Sequence, residues 1–122
     1  MSQLLGKRIM LLEDEAIIAF AVEDMLIELG CTIVGPALNL HEAMALATAD
    51  PDIDAAILDV NINDGRSYSV AQALERRGVP FVFASGYDES GVAWDGEPVE
   101  IIPKPYRKDQ IERAIIEMLA GT

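Results

Sequence analysis

The sequence predicts an α/β domain built on a parallel sheet, and three observations predict it. Short apolar runs recur along the chain, helical patterns fill the intervals between them, and the runs do not alternate with polar residues. Runs of this kind, rich in β-branched and aromatic residues, suit strands buried on both faces by flanking helices.

The elements follow in order. Arg8 to Leu12 is the first strand. Ile18, Val22, Met25, Leu26 and Leu29 mark one face of a first helix, stopped by Gly30 in the C-terminal capping place. Thr32 to Val34 forms the second strand. Asn39 followed by Glu42 is a capping box for a second helix, which ends before Asp50-Pro51. Ala55 to Leu58 is the third strand. Val70, Ala71 and Leu74 outline a third helix, with Arg76 and Arg77 at its negative end before Gly78. Phe81 to Ala84 is the fourth strand. The interval from Tyr87 to Pro98 breaks the rhythm, with Gly91, Gly96, Pro98 and four acidic residues, so a helix there is short and weakly held. Val99 to Ile102 is a last, brief strand. Ile111, Ala114, Ile115 and Met118 outline the final helix, with Asp109 in its first turn.

Composition bounds the function. The 122 residues suffice for one domain, 1–122, with a real core. Nine lysines and arginines against 21 acidic residues give a net charge of −12, which repels nucleic acid and anionic membranes. The lone Cys31 excludes an intramolecular disulfide and packs as a small hydrophobe. The longest wholly apolar stretch, Ala16 to Val22, is too short to span a bilayer, and the first residues show no signal pattern. The reducing cytoplasm is the expected location.

Ligands of such a fold bind outside the carboxyl ends of the strands. Reading the strand ends gives Glu13 and Asp14 after the first, Asp59 after the third, Ser85 after the fourth, and Lys104-Pro105 after the fifth. The second strand ends in Val34-Gly35-Pro36, with nothing reactive. Three carboxylates repel one another in a partly dry cleft. Lys104 offsets one charge and a divalent cation two. Hard oxygen ligands with room for water and phosphate oxygens fit Mg²⁺, whereas zinc calls for more histidine or cysteine than this chain has. His41 falls on the second helix and is read as a surface residue. A carboxylate beside Mg²⁺ and a lysine can attack phosphorus and become an aspartyl phosphate, with Ser85 donating to a third equatorial oxygen. Each feature alone has an ordinary explanation, such as a loop cap, a turn or a charge at a helix start. Their coincidence on successive strand ends points to a site.

The order Leu12-Glu13-Asp14-Glu15, Leu58-Asp59-Val60-Asn61, Ala84-Ser85-Gly86 and Pro103-Lys104-Pro105 resembles a response-regulator receiver domain of two-component signalling, along essentially the whole chain. The resemblance implies a flavodoxin-like, five-stranded sheet in the order 2-1-3-4-5. It also implies Mg²⁺-dependent transfer to Asp59 from a histidine kinase or phosphotransfer protein. By the same resemblance Glu13, Asp14, Asp59 and the backbone carbonyl of Asn61 hold the metal, Ser85 is the switch hydroxyl, Lys104 pairs with phosphate, and Lys104-Pro105 is cis.

Two departures stand out. The aromatic that receivers usually carry three residues before the lysine is here Ile101, which has no ring to turn. The stretch Pro80 to Tyr87 is similar to the receiver subgroup with a Phe-Ala-Thr-Gly-Tyr signature, in which that aromatic is typically absent and many members are a receiver alone. The short interval before Lys104 implies a reduced or mobile fourth helix. Ordering of the segment from Tyr87 to Pro98 is the expected route for the signal, with Tyr87 or Tyr106 as substitute aromatics. The chain ends soon after its last helix, so output is expected through protein-protein contact, whether it is a whole protein or a domain of a longer one.

Two other readings compete. A flavin carrier of this fold needs a hydroxyl- and glycine-rich loop after the first strand, where Glu13-Asp14-Glu15 would repel phosphate. An aspartyl-phosphate hydrolase wants a second acid two residues after the nucleophile, where this chain has Asn61.

Overall fold

The computed structural model describes residues 4–49, 52–62, 65–86 and 94–121. Strand β1 spans Arg8–Leu12, helix α1 Ala16–Glu28, β2 Thr32–Ala37, α2 Leu40–Ala49 and β3 Ala55–Asp59. A two-residue ladder, β4 (Asn61–Ile62) with β5 (Gly65–Arg66), comes next. Then follow α3 (Tyr68–Arg76), β6 (Phe81–Ser85), β7 (Ile101–Pro103) and α4 (Lys108–Ala120).

The main sheet runs β2-β1-β3-β6-β7, every pair parallel. With the small ladder set aside, this is the expected order 2-1-3-4-5. The apolar runs do not alternate with polar residues because both faces of the sheet are covered. Ile9, Leu11, Ile57 and Val82 face one core with Val22, Leu26 and Ile115. Met10, Leu12, Leu58 and Phe83 face another with Ala43, Val70 and Leu74. Each fully buried aliphatic side chain contributes about 2 kcal/mol by leaving water.

The helix ends show the local chemistry. After α1, Gly30 takes a left-handed φ of 92° and its carbonyl accepts from the Gly6 amide at 2.8 Å. A Cβ at that position would lie 3.3 Å from Leu5 Cα, so a larger residue is disfavoured by both strain and space. Before α2, the Asn39 side chain accepts from the Glu42 amide at 2.8 Å, as a capping box requires. The return bond differs from the expectation, because Glu42 accepts from Leu38 rather than from Asn39. Arg77, expected at the negative end of α3, donates to the Ala47 carbonyl at the end of α2 instead. That satisfies an orphan carbonyl of the neighbouring helix.

Several boundaries move. β2 continues to Ala37, with a register irregularity opposite Met10–Leu12 that accommodates Gly35 and Pro36. β3 and β6 take in Asp59 and Ser85 themselves. The last strand starts at Ile101, two residues later than Val99. Between β6 and β7 the described residues 94–100 form no helix, in keeping with a reduced fourth helix, while Tyr87 and residues 88–93 lie outside the described residues. Among the described residues, no helix is long and apolar enough to cross a membrane.

Candidate functional site

Parallel pairing brings the strand ends level. Asp59 lies in register with Ala84 of β6, and the amide of Glu13 donates to the Ala37 carbonyl at 3.0 Å just beyond β1. The Lys104 amide donates to the Ser85 carbonyl at 3.0 Å, which fixes the lysine to the end of β6. Lys104-Pro105 is cis, as the resemblance implies.

On this frame Lys104 Nζ lies 2.7 Å from Asp59 Oδ2 and 2.9 Å from Glu13 Oε1. Glu13 is 0% exposed and Asp59 1%. The second oxygen of Glu13 accepts from the Glu15 amide at 3.1 Å, at the entry to α1. Asp14 is half-buried, and carboxylate oxygens of Glu13, Asp14 and Asp59 all lie within 4.8 Å of one another. Ser85 is buried beside them, with Oγ donating to the Gly86 carbonyl at 3.1 Å. The structure thus brings Glu13, Asp14, Asp59, Ser85 and Lys104 to one rim. Asn61, half-buried, opens β4 two residues beyond Asp59.

One lysine serves two buried carboxylates, so the cluster carries excess negative charge. Burial pushes the Asp59 carboxyl up to about 7; the Lys104 hydrogen bond opposes this and Glu13 reinforces it. Burial disfavours the Lys104 ammonium too, but hydrogen bonds to Asp59 and Glu13 outweigh it and hold its pKa above the usual value. Asp59 Oδ1 is buried with no hydrogen-bond partner. An unsatisfied carboxylate oxygen in a cluster of hard oxygen donors fits a divalent cation or a phosphorus atom open to nucleophilic attack.

Other candidates fall away from the rim. His41 is exposed on α2 and takes no part in the acidic cluster. Cys31 is buried among aliphatic side chains, and burial pushes its thiol up, away from reactivity. Tyr106 is buried in the α1–α4 core, and Ile101 is 45% exposed at the sheet edge.

Trp94 was not foreseen. It packs edge-on against Phe81 and Phe83, with ring centroids 5.6 Å away in both cases, and lies 6.3 Å from Tyr68. The available signal was a lone tryptophan in a polar stretch after a strand whose aromatics alternate, Phe81 then Phe83.

No family model matches the chain. It is 39% identical to SdrG from Sphingomonas melonis Fr1, with 98% of this chain and 99% of that one covered and a TM-score of 0.77. The receiver domain of sensor histidine kinase PA1611 from Pseudomonas aeruginosa PAO1, whose structure has a magnesium ion coordinated in the active-site cleft, matches with a TM-score of 0.75. At 20% identity over 94% of this chain and 98% of that one, it speaks to fold alone. The phyllosphere-induced regulator PhyR of Methylorubrum extorquens is 27% identical over 118 residues, 94% of this chain. The chain spans 44% of that curated relative's length.

Proposed function

The chain belongs to the response-regulator receiver family, and from that membership we propose that it is a phosphorylation-dependent switch or relay whose acceptor is Asp59. The observation that carries the proposal is the buried Asp59 carboxylate, with one oxygen held by Lys104 at 2.7 Å and the other without a hydrogen bond. In this reading the domain, 1–122, is a signalling protein that catalyses only its own phosphorylation and dephosphorylation.

An oxygen of Asp59 attacks the phosphorus of a phosphohistidine on a histidine kinase or phosphotransfer protein. The P–N bond breaks, the imidazole leaves and recovers a proton, and Asp59 becomes an acyl phosphate. Lys104 trades its carboxylate partner for a phosphoryl oxygen, and Ser85 turns its hydroxyl to another. Glu13, Asp14, Asp59 and the carbonyl of Asn61 would hold Mg²⁺, which when bound neutralises charge on the transferring group. Asn61 in place of a second acid argues against a multiple-turnover phosphatase.

A protein donor is supported by α1, which leaves Ile17 86%, Phe20 54% and Ile27 56% exposed. Beside them a groove of about 170 Å³ leads past Met25 and Tyr106 to Lys104. An apolar stripe next to the acceptor suits an amphipathic helix of the donor. A cytoplasmic location goes with this reading, since the donor's phosphohistidine is made from ATP.

Intact mass after incubation with Mg²⁺ and acetyl phosphate tests the proposal. The native chain gains one phosphoryl group and Asp59→Asn gains none. Equal gain in both, or none in either with a cognate kinase also present, removes it.

A further inference from the structure

Side chains on a strand alternate between faces, so Phe81, Phe83 and Ser85 of β6 share one. Ser85 ends that row at the phosphoacceptor rim, and Phe83 and Phe81 continue it beneath. The chain's single tryptophan, Trp94, rests on this row, its ring at 83° to Phe81 and 71° to Phe83. Polar latches hold it. Its Nε1 donates to the Glu97 carbonyl at 2.8 Å, and the Glu97 amide donates to Glu75 Oε2 on α3 at 3.0 Å. Gly96 lies between the latches. A Cβ there would come within 2.6 Å of Trp94 Cε2 and 2.8 Å of Glu75 Oε2, so the seat closes only over glycine.

We infer that Trp94 is a positioning residue for the phosphoacceptor site, seated while Ser85 is turned to Gly86 and released when Ser85 turns to a phosphoryl oxygen on Asp59. The inference rests on the Asp59 reading and adds to it how the site is regulated. Ser85 gives up its bond to the Gly86 carbonyl when it turns toward Asp59, and in this inference the end of β6 shifts with it, so that Phe83, two residues back on the same face, carries the movement to the indole. Phe83 is 0% exposed and closely packed, so a small displacement is resolved by repacking rather than absorbed. Ile101, at the family's usual aromatic position, has no ring to do this. The coupling is reciprocal, so whatever unseats Trp94 favours the phosphoryl-bound arrangement.

With one tryptophan, emission and acrylamide quenching of the full chain read Trp94 alone. Beryllofluoride with Mg²⁺ is the probe, Mg²⁺ alone the control, and acetyl phosphate with intact mass reports modification separately. In the native chain the probe shifts emission to the red and raises quenching about twofold, while Asp59→Asn does not respond. Ser85→Ala gains a phosphoryl group more slowly, and shows no tryptophan response even where intact mass reports the chain as modified. Gly96→Ala, which crowds the seat, binds beryllofluoride about fivefold tighter, as coupling between two positions requires. If that variant fails to fold, Trp94→Ala replaces it, with affinity read from the thermal midpoint and Trp94→Phe restoring the native value. A residue that only stabilised the fold would lower the midpoint without changing affinity. A native chain that is phosphorylated with emission unchanged or shifted to the blue overturns the inference and leaves Asp59 standing. A native chain that gains no phosphoryl group even with a cognate kinase present, or gains it equally in Asp59→Asn, overturns both.

Discussion

Lys104 and Arg113 each bridge two carboxylates. Lys104 lies 2.7 Å from Asp59 and 2.9 Å from Glu13, and Arg113 lies 2.6 Å from Glu100 and 2.9 Å from Glu117. The distances match and the surroundings do not. The carboxylates of Lys104 are out of water, whereas Arg113 and its partners sit in it. In water such pairs are screened and their side chains pay entropy for fixed geometry. In the buried cluster an unbalanced charge cannot be diluted, so the second negative charge perturbs Asp59. What separates the perturbed cluster from the surface pair here is burial, not the number of partners.

Lys104→Met should break the comparison most severely. It leaves two buried carboxylates without a cation and destabilises the metal-free chain by about 3 kcal/mol in urea unfolding at pH 8. The loss is smaller at pH 5, where the carboxyls can take up protons. Phosphorylation by acetyl phosphate slows about 100-fold, the usual order for losing one electrostatic contact to a transferring group.

Next comes pH. The Asp59 carboxyl titrates near 7 when folded and at 3.8 when exposed. Between those values the folded chain keeps a proton that the unfolded chain has released, so raising the pH favours unfolding. The metal-free chain should lose about 2 kcal/mol across that window, measured by urea midpoints. Asp59→Asn should be flat there and more stable than the native chain at pH 8. Saturating Mg²⁺ should restore about 2 kcal/mol to the native chain at pH 8 and much less to Asp59→Asn. A native chain as stable at pH 8 as at pH 5 without metal would refute the account of the cluster. At the small end, Arg113→Ala should leave the urea midpoint and the phosphorylation rate where they were.

Much of this was legible in the sequence, for a physical reason. In a parallel sheet each strand is one short apolar run, and its first polar residue falls on the rim. Asp59, Ser85 and the Glu13-Asp14 pair therefore announce themselves by position. The fact that Lys104 reaches Glu13 as well as Asp59 depends on how strands distant in sequence meet. The β4–β5 ladder was readable, since Asp64-Gly65 is an ordinary hairpin signal, but five polar and small residues after a strand read equally as a loop. Trp94 was the harder case, because its seat is made by Phe81, Phe83, Tyr68 and Glu75, none of them a neighbour in sequence.

The edge strands carry a further consequence. β2 contains Pro36 and the three-residue β7 ends on Pro103, and these are the outer strands of the sheet. Proline has no amide hydrogen, so each border lacks a donor that a stray strand would need for pairing. Such borders guard against chain-to-chain aggregation. A molecule with apolar α1 side chains left open for a partner can thereby remain dispersed at high concentration, and Pro103→Val should lower the concentration at which it begins to precipitate.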